Sequence, residues 1–339
     1  MKNEKILIFG GTGSLGQALI QRYAAFNELI LFSRDEAKHW TLKNNLPKNF
    51  NVKFMVGDVR DKNRIQESLM QSMPTIVIMA SALKQVDTCE LSPYESVQTN
   101  LLGIKNIVDS VSTLGDKLKE LKSVLLVSTD KACAPTNVYG MCKAIAERIV
   151  TSESKYQKDI KFRGVRYGNV LESRGSIIPL FKHQVLHGDS LTVTHQEMTR
   201  FMMTLDQSID LIQQAIQNGR SGEIWIPKIK SMRILDLAEI FSDKFRKPIK
   251  VTGIRPGEKL HEDLISAPES IRTRRLVGNF VIDTPFSDSD PTNKIFTYSS
   301  NGDILEKKVL SNYLDSIGIF ERNMKDFVGR SIEEIDTSR

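Results

Sequence analysis

Over the first 170 residues, short and nearly unbroken apolar runs alternate with longer stretches whose apolar residues recur every three or four positions. In one of these stretches Ile104, Ile107 and Val111 fall on a single helical face. Strands that are apolar throughout and separated by helices are typical of a parallel sheet covered on both faces. The sequence therefore predicts an α/β fold with a doubly wound parallel sheet. The runs place its six strands at residues 6–9, 29–32, 52–56, 76–79, 124–127 and 162–165.

After residue 170 the alternation becomes irregular, and prolines and glycines separate shorter elements. We expect a first domain at residues 1–170 and a smaller, mainly substrate-binding region at residues 171–339 that includes a C-terminal tail. Elements near residues 200–225 are expected to return to the first sheet. Beyond Ser299 the pattern predicts a turn at residues 301–303 followed by peripheral helices.

Composition excludes several classes of protein. The 339 residues are 40% hydrophobic and 26% charged, which is ordinary for a folded globular chain. The apolar run at residues 76–80 is far shorter than the ~20 residues of a membrane span. The net charge of +6 is spread along the chain, which does not favour nucleic-acid binding. Three cysteines without a CxxC pair predict free thiols and a cytoplasmic protein, and five scattered histidines predict no metal site.

A glycine-rich loop follows the first predicted strand. A tight turn here lets the backbone approach a pyrophosphate at the start of a helix, which predicts a dinucleotide site, the alternative being a plain strand-to-helix turn. At the end of the second strand, Ser33 and Arg34 suit a 2′-phosphate and favour NADP over NAD. A surface Arg34 paired with Asp35 or Glu36 is the alternative. The candidate residues of the loop are Gly10, Thr12, Gly13, Ser14, Leu15 and Gly16.

Further candidates for the cofactor follow the third and fourth strands, where the carboxyl ends of a parallel sheet bind ligands. Asp58 is placed to accept from the adenine amino group, with Val59 beside it. The fourth strand is followed by residues expected beside the nicotinamide ribose, namely Ala80, Ser81 and Ala82, and then by Lys84.

The stretch after the fifth strand carries the candidate chemistry. Tyr139 and Lys143 are four residues apart, so they share one face of a helix. We expect the Lys143 ammonium to lower the pKa of the Tyr139 phenol and make it a usable base. Just before this helix, Thr129, Asp130 and Lys131 are consecutive.

These motifs resemble the extended short-chain dehydrogenase/reductase superfamily, and within it the nucleotide-sugar 4,6-dehydratases. Thr129-Asp130-Lys131 is similar to the branch acting on UDP-N-acetylglucosamine, with closest resemblance to the inverting dehydratase of pseudaminic-acid biosynthesis. Two positions depart from the pattern: Gln85 stands where relatives have His, and Thr194-His195-Gln196 where they have Asp. The resemblance spans roughly residues 5–265 and is also carried by residues 57–61, 82–84, 166–170, 173–176, 198–201 and 254–262.

The resemblance implies a 4,6-dehydratase for a UDP-sugar, with tightly bound NADP regenerated in each turnover, in a homo-oligomer (a dimer or hexamer). Tyr139, aided by Thr129 and Lys143, would take the C4 hydroxyl proton while hydride moves from C4 to NADP. Lys131 would take the C5 proton, Asp130 would protonate the leaving C6 hydroxyl, and hydride would return to C6. Tyr167 would flank the nicotinamide. The implied substrate contacts are Lys84, Thr129, Asn169, Arg174, Arg200, Arg255 and Glu258.

Three alternatives stay open from the sequence. A 4-epimerase of the same superfamily needs Tyr139 and Lys143 but has no use for an acid/base pair at positions 130 and 131. A dehydratase for another nucleotide sugar would share every motif. A non-catalytic NADP-binding protein would be expected to lack one of Thr129, Tyr139 and Lys143, whereas all three are present here.

Overall fold

The computed structural model describes residues 1–285 and 295–320. The predicted turn at residues 301–303 precedes a helix, whereas the tail beyond residue 320 lies outside the described residues. The strands of the described part are β1 (Lys5–Phe9), β2 (Glu28–Ser33), β3 (Val52–Val56), β4 (Ile76–Met79), β5 (Ser123–Thr129), β6 (Lys161–Tyr167), β7 (Asn169–Val170), β8 (Leu191–Val193), β9 (Thr199–Met203), β10 (Ile224–Pro227), β11 (Ser231–Arg233), β12 (Ile249–Val251), β13 (Asp263–Ile265), β14 (Thr273–Arg275), β15 (Asn279–Ile282) and β16 (Tyr298–Ser299).

The helices alternate with the first six strands and then cluster in the second half. They are α1 (Ser14–Tyr23), α2 (Glu36–Asn45), α3 (Lys62–Ser72), α4 (Val86–Leu91), α5 (Pro93–Ser96), α6 (Gly103–Leu114), α7 (Val138–Ser152), α8 (Ile177–His187), α9 (Leu205–Asn218), α10 (Ile234–Phe245), α11 (Ala267–Ser270) and α12 (Lys307–Ser316). A π-helical segment covers Val97–Leu102, and 3₁₀ turns cover Gly115–Leu118, Asp130–Ala132 and Glu153–Lys155.

The central sheet has nine strands in the order β14-β15-β10-β6-β5-β4-β1-β2-β3. From β3 to β10 every neighbouring pair is parallel, and the register sets Leu7 opposite Ile30 and Ile8 opposite Ile78. Side chains from both faces of β1 are buried in two apolar clusters, one on each side of the sheet. The doubly wound parallel fold expected from the apolar runs is confirmed, and each of the six predicted strands is present.

The chain returns to this sheet after residue 170. α9 packs on β6, and β10 then pairs in parallel with β6, after which β15 and β14 extend the sheet in antiparallel fashion. Arg163 of β6 is buried beneath α9 and donates to the carbonyl oxygens of Ala215 and Gly219 at 2.6 and 2.7 Å. A guanidinium at the negative end of a helix dipole is favourable, so this buried arginine anchors α9 on the sheet.

A second, smaller core lies beyond the carboxyl ends of the sheet strands. It is built around Phe181 of α8, Phe241 of α10 and Leu310 of α12, all fully buried. Small sheets border it: β7-β9-β11 and β8-β12. This region covers the edge of the main sheet where the loops after β1, β2, β4, β5 and β6 converge.

Arg166 joins the main sheet to the segment around β13. It is buried on β6, with its guanidinium 2.5 Å from a Glu147 oxygen on α7 and 2.8 Å from a Glu269 oxygen on α11. It also donates to the Leu264 carbonyl oxygen of β13. A buried charge needs such pairing, so the triad fixes α7 against the segment at residues 263–270.

Candidate functional site

A cleft of about 880 Å³ lies between the two cores, a size common for small-molecule sites. All but two of the residues that the sequence nominates as site residues line it. The lining set includes Gly10, Thr12, Gly13, Ser14, Leu15, Ser33, Arg34, Val59, Ala80, Ser81, Ala82, Lys84, Thr129, Asp130, Lys131, Tyr139, Lys143, Tyr167, Asn169, Arg174, Arg200, Arg255 and Glu258. Gly16 and Asp58 do not line the cleft. Gly16 packs inside the loop, and the Asp58 carboxylate accepts hydrogen bonds from Arg60 instead of facing the cleft.

The glycine loop passes directly under the end of β4. Gly10 has a φ of +87°, and a Cβ atom there would lie 2.6 Å from the Ser81 nitrogen. Only glycine permits both this backbone conformation and this approach. α1 then begins at Ser14 with no side-chain cap, so its amide groups face the cleft with the positive end of the helix dipole.

Basic residues gather at the end of β2. Arg34 is half exposed, and its nearest carboxylate oxygen belongs to Asp58, at 3.7 Å, rather than to Asp35 or Glu36. Asp35 instead caps α2 and pairs with Lys38 at 2.7 Å. Ser33, Arg34 and Lys38 all line this part of the cleft. Lys38 is not among the residues predicted from the sequence, although its place four residues after Arg34 is a signal that could have indicated it.

The catalytic candidates meet where β5 ends. Thr129 is the last residue of β5, and its hydroxyl donates to Asp130 Oδ1 at 2.9 Å. The 3₁₀ turn that follows directs the Lys131 ammonium back to the same oxygen, at 3.1 Å. A Cβ on Gly140 would lie 2.2 Å from the Lys131 carbonyl oxygen, so the close packing of α7 on this turn requires glycine there.

Tyr139 and Lys143 share the inner face of α7 as predicted from their spacing, and both are buried. Lys143 Nζ donates to the Val127 carbonyl oxygen at 2.7 Å, and burial lowers its pKa to about 8. Burial raises the pKa of Tyr139 to about 12, while Lys131 and the Thr129 hydroxyl act to lower it. Among the described residues Lys131 is therefore the cation that acts most strongly on the phenol, and the expected effect of Lys143 stays a prediction.

Tyr167 lies beneath Tyr139. It is the last residue of β6, and burial, followed by the neighbouring Tyr139, raises its pKa above the ordinary range. Such a phenol stays protonated and neutral. It can supply an apolar face and a hydrogen-bond donor, but no charge.

Five of the seven predicted substrate residues fall into two groups. Arg255 is mostly exposed and pairs with Glu258 at 3.1 Å, which lowers the Glu258 pKa despite its burial. The Arg200 guanidinium donates to the carbonyl oxygens of Thr199, Lys259 and Leu260. Arg200 is thus committed to holding the backbone of residues 259–260.

Lys84 and Arg174 form the other group. Burial lowers the pKa of Lys84, and the nearby Arg174 lowers it further. The Arg174 amide donates to the Ser14 hydroxyl at 3.1 Å, which places this loop against the start of α1. Two cations that repel each other across a cleft favour an anion between them.

The two departures from the family pattern also have places in the structure. Gln85 lines the cleft and packs against Gly175. Thr194 lines the cleft as well, whereas the His195 ring accepts from the Glu197 amide.

Glu262 is a site residue that was not predicted from the sequence. It is buried, it lines the cleft, and its Oε1 lies 3.2 Å from Lys131 Nζ. The sequence feature that could have indicated it is its position as a carboxylate at the end of the motif at residues 254–262. No short-range sequence pattern connects that motif to Lys131, however.

The cleft offers polar groups that fit a ligand such as a dinucleotide. Buried polar atoms normally have hydrogen-bond partners. Several in this cleft have none among the described residues: Ser81 Oγ, Ser128 Oγ, Asp130 Oδ2, Asn169 Oδ1, Arg174 Nε and Ser176 Oγ. Together with the free amides of α1 and the basic residues after β2, they match the mixed donors and acceptors of such a group.

A family model described as polysaccharide biosynthesis protein matches residues 6–284. The chain belongs to this family. This family is part of the extended short-chain dehydrogenase/reductase superfamily, which includes nucleotide-sugar 4,6-dehydratases and 4-epimerases. The resemblance predicted from the sequence is therefore confirmed for the superfamily.

Curated relatives carry three different names at the same level of identity. An uncharacterized membrane protein of Methanocaldococcus jannaschii is 36% identical over 93% of this chain and 96% of its own. A UDP-glucose 4-epimerase of Rickettsia prowazekii is 36% identical over 83% of each chain. The inverting UDP-N-acetylglucosamine 4,6-dehydratase of Campylobacter jejuni is 36% identical over 82% of each.

Solved structures agree on the fold. The X-ray structure of Pen from Bacillus thuringiensis has a TM-score of 0.85 and 32% identity, covering 94% of this chain and 99% of that one. The structure of DesIV, a dTDP-glucose 4,6-dehydratase from Streptomyces venezuelae with NAD and TYD bound, has a TM-score of 0.65 and 19% identity. The match covers 76% of this chain and 86% of the DesIV chain.

The described residues contain neither a membrane-spanning helix nor a metal-binding cluster. No helix within residues 1–285 and 295–320 is long and apolar enough to cross a membrane. In that same part of the chain, no group of three or more His, Cys, Asp or Glu side chains could hold a metal ion.

Proposed function

We propose that the chain is an NADP-dependent UDP-N-acetylglucosamine 4,6-dehydratase that inverts C5 and forms a UDP-4-keto-6-deoxy-N-acetylhexosamine for surface glycan or nonulosonic-acid synthesis. The observation that carries this proposal is the contact of Asp130 with Lys131, at 3.1 Å, beside Tyr139 in the cleft. Elimination of water needs an acid and a base in addition to the groups that oxidise C4. A 4-epimerase needs only the latter.

Each side chain has a defined proton to move. Tyr139 accepts the C4 hydroxyl proton, and the neighbouring Lys131 and the Thr129 hydroxyl stabilise the phenolate. Lys131 then removes the C5 proton, which the C4 ketone has made acidic. Asp130 donates a proton to the departing C6 hydroxyl, and its Oδ2 has no other partner among the described residues. A positioned acid or base typically contributes about 10²- to 10⁴-fold to the rate.

When bound, a dinucleotide would accept hydride from C4 and return it to C6. A proton from solvent must then reach C5 on the face opposite Lys131 to complete the product with inversion. Lys143 has only the Val127 carbonyl oxygen among its described partners, so its remaining protons suit ribose hydroxyls. Ser33, Arg34 and Lys38 support NADP over NAD, because a 2′-phosphate would meet a hydroxyl and two cations.

The diphosphate of the UDP-sugar is assigned to Arg255, whose guanidinium reaches the cleft from an exposed turn. Glu258 is assigned to the ribose hydroxyls, and Asn169 to the hexose. Arg200 acts through the backbone it holds. Because Arg174 lies against α1, we assign Lys84 and Arg174 to phosphate oxygens between the two ligands.

A 4-epimerase is the second candidate, because relatives named UDP-glucose 4-epimerase match as closely as the dehydratase. One experiment separates the two. The purified protein is incubated with UDP-N-acetylglucosamine and, separately, with UDP-glucose, and the products are followed by mass spectrometry and NMR. A dehydratase yields a product lighter by one water, and NMR reports the C5 configuration. A product of unchanged mass with inverted C4 would support the epimerase.

A homo-oligomer is also proposed. α4, α5 and α7 pack side by side, and their outer faces expose the large apolar side chains of Leu91, Tyr94, Met141 and Ile145. Apolar patches of this kind mark interfaces. Sedimentation of the wild type beside an Ile145→Glu variant tests this: the variant is expected to be smaller in mass than the wild type, whereas a monomeric wild type would contradict the proposal.

A further inference from the structure

Lys131 lies between two buried carboxylates. Its Nζ is 3.1 Å from Asp130 Oδ1 and 3.2 Å from Glu262 Oε1, and the two carboxylate side chains are only 1% and 2% exposed. Asp130 is the preceding residue of the chain, whereas Glu262 comes from the segment that leads into β13. The second carboxylate is therefore a product of the tertiary fold.

The backbone around Glu262 is held firmly. Its amide donates to the Ser300 hydroxyl at 2.9 Å, and its carbonyl oxygen accepts from the Ser300 amide at 2.8 Å. Three residues earlier, Lys259 Nζ donates to the Cys133 carbonyl oxygen at 2.7 Å, which joins this segment to the turn after Asp130. Glu262 is thus fixed in position relative to Lys131 and not merely near it.

The charges around Lys131 come from several elements. Burial opposes its charge, but Asp130 and Glu262 outweigh burial and raise the pKa of Lys131, with Arg200 of β9 acting against them. The Tyr139 phenol faces Lys131 from α7. Lys259 Nζ lies 3.9 Å from the second oxygen of Glu262, which has no hydrogen-bond partner among the described residues.

Proton counting gives the two carboxylates different tasks. Lys131 first passes a proton to Asp130, breaking an N–H bond and forming an O–H bond, which leaves a neutral amine and a carboxylic acid. The amine then takes the proton from C5, and Asp130 gives its proton to the hydroxyl that leaves C6 as water. Both groups end with their original charges. While Asp130 carries the proton, it offers no negative charge to Lys131.

We propose that Glu262 is the positioning residue for Lys131, keeping its ammonium compensated and its nitrogen at the cleft wall while Asp130 serves as the acid. A buried ammonium without a counter-ion is strongly disfavoured, so C5 deprotonation would otherwise create an uncompensated charge. This inference rests on the proposed dehydratase function.

The test compares Glu262→Gln, Glu262→Asp and Asp263→Asn with the wild type. Asp263→Asn removes one negative charge from the adjacent residue, which does not line the cleft, and is the matched control. The measurements are kcat and KM for dehydration, the rate of C4 oxidation in a single turnover, and the pH profile of C5 deuterium incorporation from heavy water.

Glu262→Gln is expected to lower kcat for dehydration about 10²-fold, with little change in KM and with C4 oxidation retained. Removing a negative charge lowers the pKa values of the remaining acid/base groups, so the pH profile of C5 exchange should move to lower pH. Glu262→Asp keeps the negative charge but moves it away from Lys131 by the length of one methylene. Its kcat should fall about tenfold, and its pH profile of C5 exchange should match that of the wild type. Asp263→Asn should behave as the wild type.

A Glu262→Gln variant with wild-type kcat, or with a lower kcat but an unmoved pH profile, would overturn the inference. If Glu262→Gln fails to fold, Glu262→Asp decides, and wild-type kcat in that variant would overturn it equally. A wild-type protein that never releases water from UDP-N-acetylglucosamine would instead overturn the proposed function, so the two failures are distinguishable.

Discussion

Replacing Lys131 by Met separates elimination from oxidation. Met retains most of the side-chain volume but cannot accept the C5 proton. Losing a positioned base typically costs about 10²- to 10⁴-fold, which is about 3 to 5 kcal/mol on the barrier for this step. Oxidation at C4 depends on Tyr139, Lys143 and the dinucleotide, so it should survive.

The structure refines this expectation. Lys131 holds Asp130 and Glu262 at 3.1 and 3.2 Å, so its loss leaves two buried carboxylates facing each other. One of them should take up a proton, because two like charges in a buried site repel strongly. Lys131 also acts to lower the Tyr139 pKa, so C4 oxidation should slow as well, but less than elimination.

The assay is a single turnover with UDP-N-acetylglucosamine in heavy water, followed by the absorbance of the reduced nicotinamide and by mass spectrometry. Lys131→Met should accumulate reduced dinucleotide, incorporate little deuterium at C5 and release water very slowly. Lys230→Met, which removes an exposed lysine paired with Asp303 outside the cleft, is the control and should match the wild type. Dehydration by Lys131→Met at the wild-type rate would refute the assigned base.

Three further predictions follow from single contacts. Arg34→Ala should reduce the preference for NADP over NAD by roughly tenfold or more, since one charge-assisted hydrogen bond contributes about 1.5 to 3 kcal/mol; titration with both cofactors measures it, and equal binding by the wild type would contradict it. Arg255→Ala should raise KM at least about tenfold. Its NADP affinity and melting temperature should be nearly unchanged because the Arg255 side chain is mostly exposed, and loss of folding would point to a structural role. Glu269→Gln should destabilise the fold by about 3 kcal/mol at neutral pH. Burial opposes the charge of Glu269, but the Arg166 guanidinium outweighs burial and lowers the Glu269 pKa from 4.5 to about 2. That stability is present above pH 4.5 and lost as the pH falls towards 2, so denaturant unfolding of wild type and variant should converge there.

The alternation of apolar runs with amphipathic stretches was sufficient to predict the doubly wound sheet. Strands of a parallel sheet are buried on both faces, so each leaves an unbroken apolar run that is visible without any knowledge of its neighbours. The pairing of Tyr139 with Lys143 on one face of α7 is equally local, because helical periodicity alone brings residues four apart together. The glycine loop could be located in the same way, by its position between β1 and α1.

Side-chain partners depended on the tertiary structure. Arg34 lies nearest Asp58 and not the adjacent acids, and Arg200, an expected substrate ligand, donates to the carbonyl oxygens of residues 199, 259 and 260. Buried Arg163 in β6 has no local signal either, since an arginine normally argues against a buried strand. These contacts follow from which segments the fold brings together, and sequence spacing does not specify that.

Glu262 shows the difference most clearly. The sequence by itself determined the elements, the loop that turns under β4 and the order Thr129-Asp130-Lys131, because each arises from residues within a few positions of one another. Only the tertiary structure placed a second buried carboxylate 3.2 Å from Lys131 and brought Lys131 close enough to Tyr139 to lower the pKa of its phenol. Electrostatic interactions act through space between groups from different segments, so the charge balance of this cleft is decided by how β5, α7 and the segment before β13 pack together.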